Sequence, residues 1–157
     1  MAAVDRFRRP STYEKLLVEL TEKKTGPFGT LVEAMMFAAV LGRRKGRREP
    51  FEQHDEPIRL ALMEGRLYGD VLLDMLAAVE EENDPKILAD DRLPDRILIF
   101  EEYANGGLGY LQAEINRQLN EDLDAIVAAL IIEALQAPQE TGEDDIGHLL
   151  TSASLNW

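Results

Sequence analysis

The sequence predicts an all-α protein, on three observations. Helix-start signals recur just ahead of apolar runs, and glycine or proline stands where those runs end. Over the C-terminal half, one apolar face repeats at steps of three and four. Together they predict a compact multi-helix domain with a central buried helix at about residues 30–41 and a long C-terminal helix at about 108–136.

Residues 1–10 read as an extended lead-in. Ser11, with Glu14 three residues on, has the capping-box spacing, and Leu16, Leu17 and Leu20 supply an apolar face. Lys23 and Lys24 suit a last turn, where a cation meets the negative end of the helix dipole, and Gly26-Pro27 ends the helix. Thr30 and Glu33 form a second capping box. From Leu31 to Leu41 the chain is apolar nearly all round, so this helix is expected to be buried on every side, with Gly42 as its C-cap.

A charged connector spans residues 43–57. The short apolar segment Ile58 to Met63 fits helix or strand, and helix is the reading taken. Leu67 to Glu82 reads as a helix with Val71, Leu72, Met75, Leu76 and Val79 on one side. Asp84-Pro85 starts a short turn through Leu88, and Leu93-Pro94-Asp95 opens another helix. Asn105-Gly106-Gly107 reads as a helix C-terminus and hinge, because these residues readily take left-handed backbone angles. Beyond it Leu111, Ile115, Leu119, Leu123, Ile126, Leu130 and Ala134 form one row, a helix of roughly 40 Å. Pro138 stops it, so the expected organisation is one helical domain over 1–137 and an acidic flexible tail over 138–157.

The chain has 157 residues, 45% hydrophobic and 30% charged, enough apolar material for one packed core. It contains no cysteine, which excludes disulfides, thiol chemistry and cysteine-based zinc sites. The longest apolar run, Ala125 to Ile132, is far short of the roughly 20 residues a membrane span needs. A cytoplasmic protein with no membrane partner is expected. The net charge of −13 conceals a division, with residues 1–50 at +5 and the remainder at −18. Either the two parts face different partners, or the basic part folds back on the acidic part.

The basic charge peaks at Arg43, Arg44, Lys45, Arg47 and Arg48. Arginine forks match phosphate oxygens, so these five residues are the candidate contact surface for DNA or a protein partner. A solvated loop, or a counter-charge for the acidic half, is the competing reading. No helix-turn-helix pattern, zinc-finger spacing or row of base-stacking aromatics accompanies them. His54-Asp55-Glu56 points three potential ligands in different directions, and His148 is the one other histidine. The runs Glu80-Glu81-Glu82, Asp90-Asp91 and Glu101-Glu102 read as solvated helix faces and ends. No nucleophile triad, nucleotide fingerprint or phosphate loop is present. The sequence therefore predicts no catalytic residue, no metal and no cofactor. The apolar face of the long helix is expected to pack on the chain itself, or to pair with a neighbouring subunit or another protein.

Three segments resemble a known family: Thr30 to Gly42 with the basic run after it, Glu56 to Arg59, and Ile99 to Leu108. They are similar to the small proteins associated with bacterial DNA phosphorothioation (Dnd) systems, over about residues 4–115. The element from Tyr103 through Asn105, Gly106 and Gly107 to Leu108 is the most specific, and the acidic portion after about residue 116 reads as an elaboration. The resemblance implies company with systems that replace a backbone oxygen of DNA with sulfur and restrict invading DNA. It carries over no catalytic residue. The expected function is a non-enzymatic accessory protein of such a defence system, with other defence-system proteins, its own copy or DNA as partners. The alternative is a DNA-binding transcriptional regulator of the defence operon. A nuclease would require a divalent-metal site that the sequence does not assemble.

Overall fold

The computed structural model describes residues 5–119 and 121–137. The chain forms two units, Met1–Ile126 and Val127–Trp157. Six helices account for most of the described residues: α1 (Glu14–Leu20), α2 (Leu31–Arg44), α3 (Leu60–Glu64), α4 (Gly69–Glu80), α5 (Leu93–Arg117) and α6 (Leu123–Gln136). Two short strands, β1 (Arg6–Phe7) and β2 (Ile58–Arg59), pair antiparallel. The all-α class and the central helix are as the sequence predicts, but α2 is not buried on every side: Val40 is 47% exposed and Leu31, Met36 and Phe37 are half-buried. Of α6 in the second unit, Ile131, Ile132 and Leu135 are exposed, and Val127 and Leu130 are buried. The tail expected over 138–157 lies outside the described residues.

The core of the first unit is built on α2 and α5. The Thr30 hydroxyl caps α2 by accepting from the Glu33 N–H at 3.2 Å, and the Glu33 carboxylate reaches back to the Gly29 N–H at 3.3 Å. Met35, Ala38 and Ala39 of α2 are buried, as are Phe100, Ala104, Leu108 and Leu111 of α5. Phe7 brings β1 into this core and meets Phe100 edge-on, with ring centroids 5.2 Å apart.

Several boundaries differ from the sequence expectation, each for a physical reason. Ser11 starts a 3-10 turn (Ser11–Tyr13) rather than capping α1, and the Glu14 carboxylate is taken by Arg9. The first helix stops at Leu20, before Lys23 and Lys24. Gly42 is an interior residue of α2, and the capping glycine is Gly46, at φ +66°. The Arg47 N–H donates to the Gly42 carbonyl at 2.8 Å and the Gly46 N–H to the Arg43 carbonyl at 3.2 Å, a Schellman closure. The segment after Pro57 is strand for Ile58–Arg59 and helix from Leu60. Val71, Met75 and Val79 of α4 face solvent, while Leu73, Leu76 and Ala77 face the core.

The largest correction concerns Asn105-Gly106-Gly107. No hinge lies there: α5 runs unbroken for 25 residues, about 37 Å. Conversely, the helix expected over 108–136 is interrupted between Arg117 and Leu123. Leu119, counted in its apolar row, is 85% exposed. The two helices keep the repeat in phase across the turn, so periodicity alone does not register the break.

Close backbone packing explains why Gly106 and Gly107 persist inside α5. A Cβ at Gly107 would stand 1.8 Å from the Ala38 carbonyl oxygen and 2.9 Å from the Gly42 nitrogen. One at Gly42 would stand 1.9 Å from the Tyr103 carbonyl oxygen. Each helical glycine costs about 1 kcal/mol of propensity relative to alanine, and burial of the α2–α5 contact offsets it. Gly107→Ala is therefore expected to destabilise the protein by about 3 kcal/mol or to prevent folding. Gly65→Ala, where the nearest atom is 3.6 Å away, should change stability by under about 1 kcal/mol. Urea denaturation of both variants checks the contrast.

Candidate functional site

The basic connector leaves α2 at the Gly46 turn and passes directly across α5. A Cβ on Gly106 would fall 1.7 Å from the Arg47 carbonyl oxygen, so glycine is required for the strap to lie flat. The Asn105 amide donates to the Glu49 carbonyl at 2.9 Å, and the Glu49 N–H donates to the Glu102 carbonyl at 3.0 Å. Asn105 is thereby a buried polar residue with its bonds made to the strap. Tyr103, Asn105, Gly106 and Gly107 thus form one docking track, with Gly107 seating α2 and Asn105 and Gly106 seating the connector.

This crossing brings opposite charges together. Arg48 lies between two carboxylates, Glu102 at 2.8 Å and Glu80 at 2.8 Å. The Tyr103 hydroxyl donates a short hydrogen bond to the other oxygen of Glu80. The Arg43 guanidinium stands over the Tyr103 ring, 5.9 Å from its centroid, and 3.9 Å from Glu80. On the far side of Glu102, Glu101 is buried and takes Arg8, through both the backbone N–H and the side-chain Nε at 3.1 Å. Arg8 also stacks on Phe51, 4.6 Å from the centroid.

The electrostatics follow from this packing. Burial pushes the Glu80 carboxyl up, but the Tyr103 hydroxyl, Arg48 and Arg43 outweigh it and hold the group below its ordinary range. Burial likewise opposes the Arg48 charge, yet Glu80 and Glu102 raise its affinity for the proton. Burial and the bond to Glu80 both raise Tyr103. The Glu80 carboxylate is thus held ionised by Arg48 and Arg43 and by the Tyr103 hydroxyl. An arrangement of this kind clamps chain segments together.

Of the five basic residues singled out in the sequence, the structure spends Arg48 on Glu80 and Glu102, Arg47 on Glu49 at 2.8 Å, and Arg43 on Tyr103 and Glu80. Lys45 stands over the Tyr110 ring, 4.9 Å from its centroid. Arg44 is exposed and makes no ion pair among the described residues. Sequence reasoning missed Glu80, Glu101 and Glu102, having read these acidic runs as solvated. Glu101 and Glu102 are 4% and 8% exposed. The available signal was their position between Phe100 and Tyr103 in an element with apolar residues on every side. Among the described residues Arg96 is the one buried cation, donating to the Ile87 and Ala89 carbonyls at 2.8 Å and facing Asp74 at 2.9 Å. Among the described residues, no group of three metal-ligating side chains is placed to hold an ion.

Removing Arg48 leaves Glu102 buried and without a cation, so Arg48→Met should cost about 3 kcal/mol. Replacing the pair together, Arg48→Met with Glu102→Leu, should cost less than the single change. A double-mutant cycle by chemical denaturation checks this. Because the Glu80 value is lowered in the fold, its contribution is complete above the ordinary value of 4.5 and is lost as pH falls through the lowered one. Tyr103, being raised, contributes below its ordinary value of 10.0 and loses that contribution as pH rises through its higher one. The melting temperature of Glu80→Gln should therefore fall less steeply below pH 4.5 than that of the wild type.

Comparison with curated proteins and with solved structures finds no match to this chain. A family model does match, over residues 6–149, well beyond the segment near residue 116 where the sequence resemblance was expected to end. The chain belongs to the family described as DNA sulphur modification system-associated protein 4.

Proposed function

We propose that the protein is a non-enzymatic accessory component of a DNA phosphorothioation-linked anti-phage defence system, acting through protein–protein contacts. Its family is associated with DNA sulphur modification systems, which supports that setting. The observation that carries the contact mode is the outer face of α4. Val71, Met75 and Val79 recur every four residues, so they share one exposed ridge. Leu67 and Tyr68, 81% and 70% exposed, precede it. Tyr68 is held at φ +63°, a conformation costing a bulky residue roughly 1–2 kcal/mol. An apolar surface kept in water at such a cost supports a binding role.

Charge selects the occupant. Asp70 lies beside the ridge, and Glu81 and Glu82 follow its end, while Asp74 in the same row is paired with Arg96. A partner helix with an apolar stripe flanked by lysine and arginine complements this face. A second copy of the chain would set acid against acid, which disfavours self-association there. Contact with DNA through the basic connector finds less support, since Arg43, Arg47 and Arg48 already face the chain's own carboxylates.

Co-expression with the other proteins of a DNA sulphur modification system tests the reading. The wild type should co-purify with one of them in fixed stoichiometry. Met75→Glu with Val79→Glu should lose at least about tenfold in affinity, about 1.4 kcal/mol, with an unchanged melting temperature. Equal binding by that variant, or no binding by the wild type, rejects the reading. A magnesium-dependent nuclease activity abolished by a carboxylate substitution would reject the non-enzymatic part.

A further inference from the structure

The strand pair creates a charge arrangement that the fold does not need. In the register of β1 and β2, Arg6 stands directly opposite Arg59, and both are exposed. Like charges in facing positions destabilise a strand pair. Arg59 makes no ion pair or hydrogen bond among the described residues. Arg6 meets Asp5 at 3.8 Å, with the two side chains 50% and 72% exposed, so that pair neutralises little.

The two arginines open onto a groove of 750 Å³ between the strands and the start of α2. Its lining holds four arginines, Arg6, Arg9, Arg59 and Arg66, against one carboxylate, Glu56. Val32 and Ile58 contribute apolar surface, and Thr30 to Val32 bring the start of α2, whose positive end is already met by the Thr30 cap and the Glu33 carboxylate. Arg9 is fixed by the Glu14 carboxylate and the Glu56 carbonyl, and Arg66 by Glu33 at 3.2 Å. Two cations are therefore held at the rim while Arg6 and Arg59 remain available.

We infer that this groove binds a phosphate group, held between the Arg6 and Arg59 guanidinium forks at the head of α2. A doubly charged oxyanion relieves the opposed positive charges and accepts from both forks. The groove is large enough for a nucleotide-sized ligand with an apolar part against Val32 and Ile58. A free phosphorylated small molecule and a nucleic-acid backbone present the same chemistry. The site is separate from the α4 face and does not depend on it.

The test is thermal unfolding in chloride, inorganic phosphate, pyrophosphate, deoxyadenosine monophosphate and a short DNA duplex at equal ionic strength. The phosphate-bearing additives should raise the melting temperature by several degrees over chloride, in a saturable manner. Arg59→Gln should melt higher than the wild type in chloride, because the repulsion is gone, and should lose the phosphate-dependent rise. Arg44→Gln should keep that rise. A larger shift with the monophosphate than with duplex at equal phosphate concentration identifies a small-molecule ligand, and the reverse identifies the nucleic-acid backbone. No shift with any additive, or an equal shift in Arg59→Gln, overturns the inference.

Discussion

The backbone of α2 lies against the backbone of α5, and the rest of the first unit is arranged around that contact. Gly42 and Gly107 leave no side chain between the helices, and Ala38 adds a methyl group alone. Two helices this close gain dispersion along their whole crossing, because atoms meet without voids. The same closeness decides where the chain goes next. On leaving α2, it has to pass over α5 at Gly106, the position where a strap can lie on the helix without meeting a Cβ.

That path determines the charge arrangement. Arg48 arrives over Glu102 and Glu80 because the strap is held by Asn105 and by the Glu102 carbonyl. Arg8 arrives over Glu101 because Phe7 is anchored against Phe100 in the core. Buried pairs of this kind add little net stability, since desolvation consumes most of the Coulombic gain. Their effect is on alternatives: any other path for the connector leaves Glu102 buried without a cation, and any other path for the N-terminal segment does the same to Glu101. The basic N-terminal third is in this sense part of the scaffold.

Once those pairs are made, the surface offers two features of opposite character. On α4, an apolar ridge sits among carboxylates. At the strand pair, the exposed Arg6 and Arg59 face each other beside a groove at the head of α2. Neither feature contributes to the core, and each carries a local cost in the isolated chain. The strained Tyr68 backbone is the cost at the first, and the Arg6–Arg59 juxtaposition is the cost at the second.

By itself the sequence determined the helical class, the central α2 with its Thr30 cap, the turn at Pro85 and the helix start at Pro94. All of these are local: periodicity, capping and proline geometry act within a few residues, and a reader of the chain meets the same physics the chain does. It also carried the family, through the element around Tyr103 to Leu108. Only the tertiary structure decided what that element is for. Asn105-Gly106-Gly107 has the propensity of a helix end, yet it is mid-helix, because backbone packing from α2 and the strap outweighs local preference. Glu101 and Glu102 have the composition of a solvated face, yet they are buried, because cations distant in sequence are folded onto them. Adjacent residues report local conformation; the environment of a charge or a glycine is set by residues about 50 to 90 positions away.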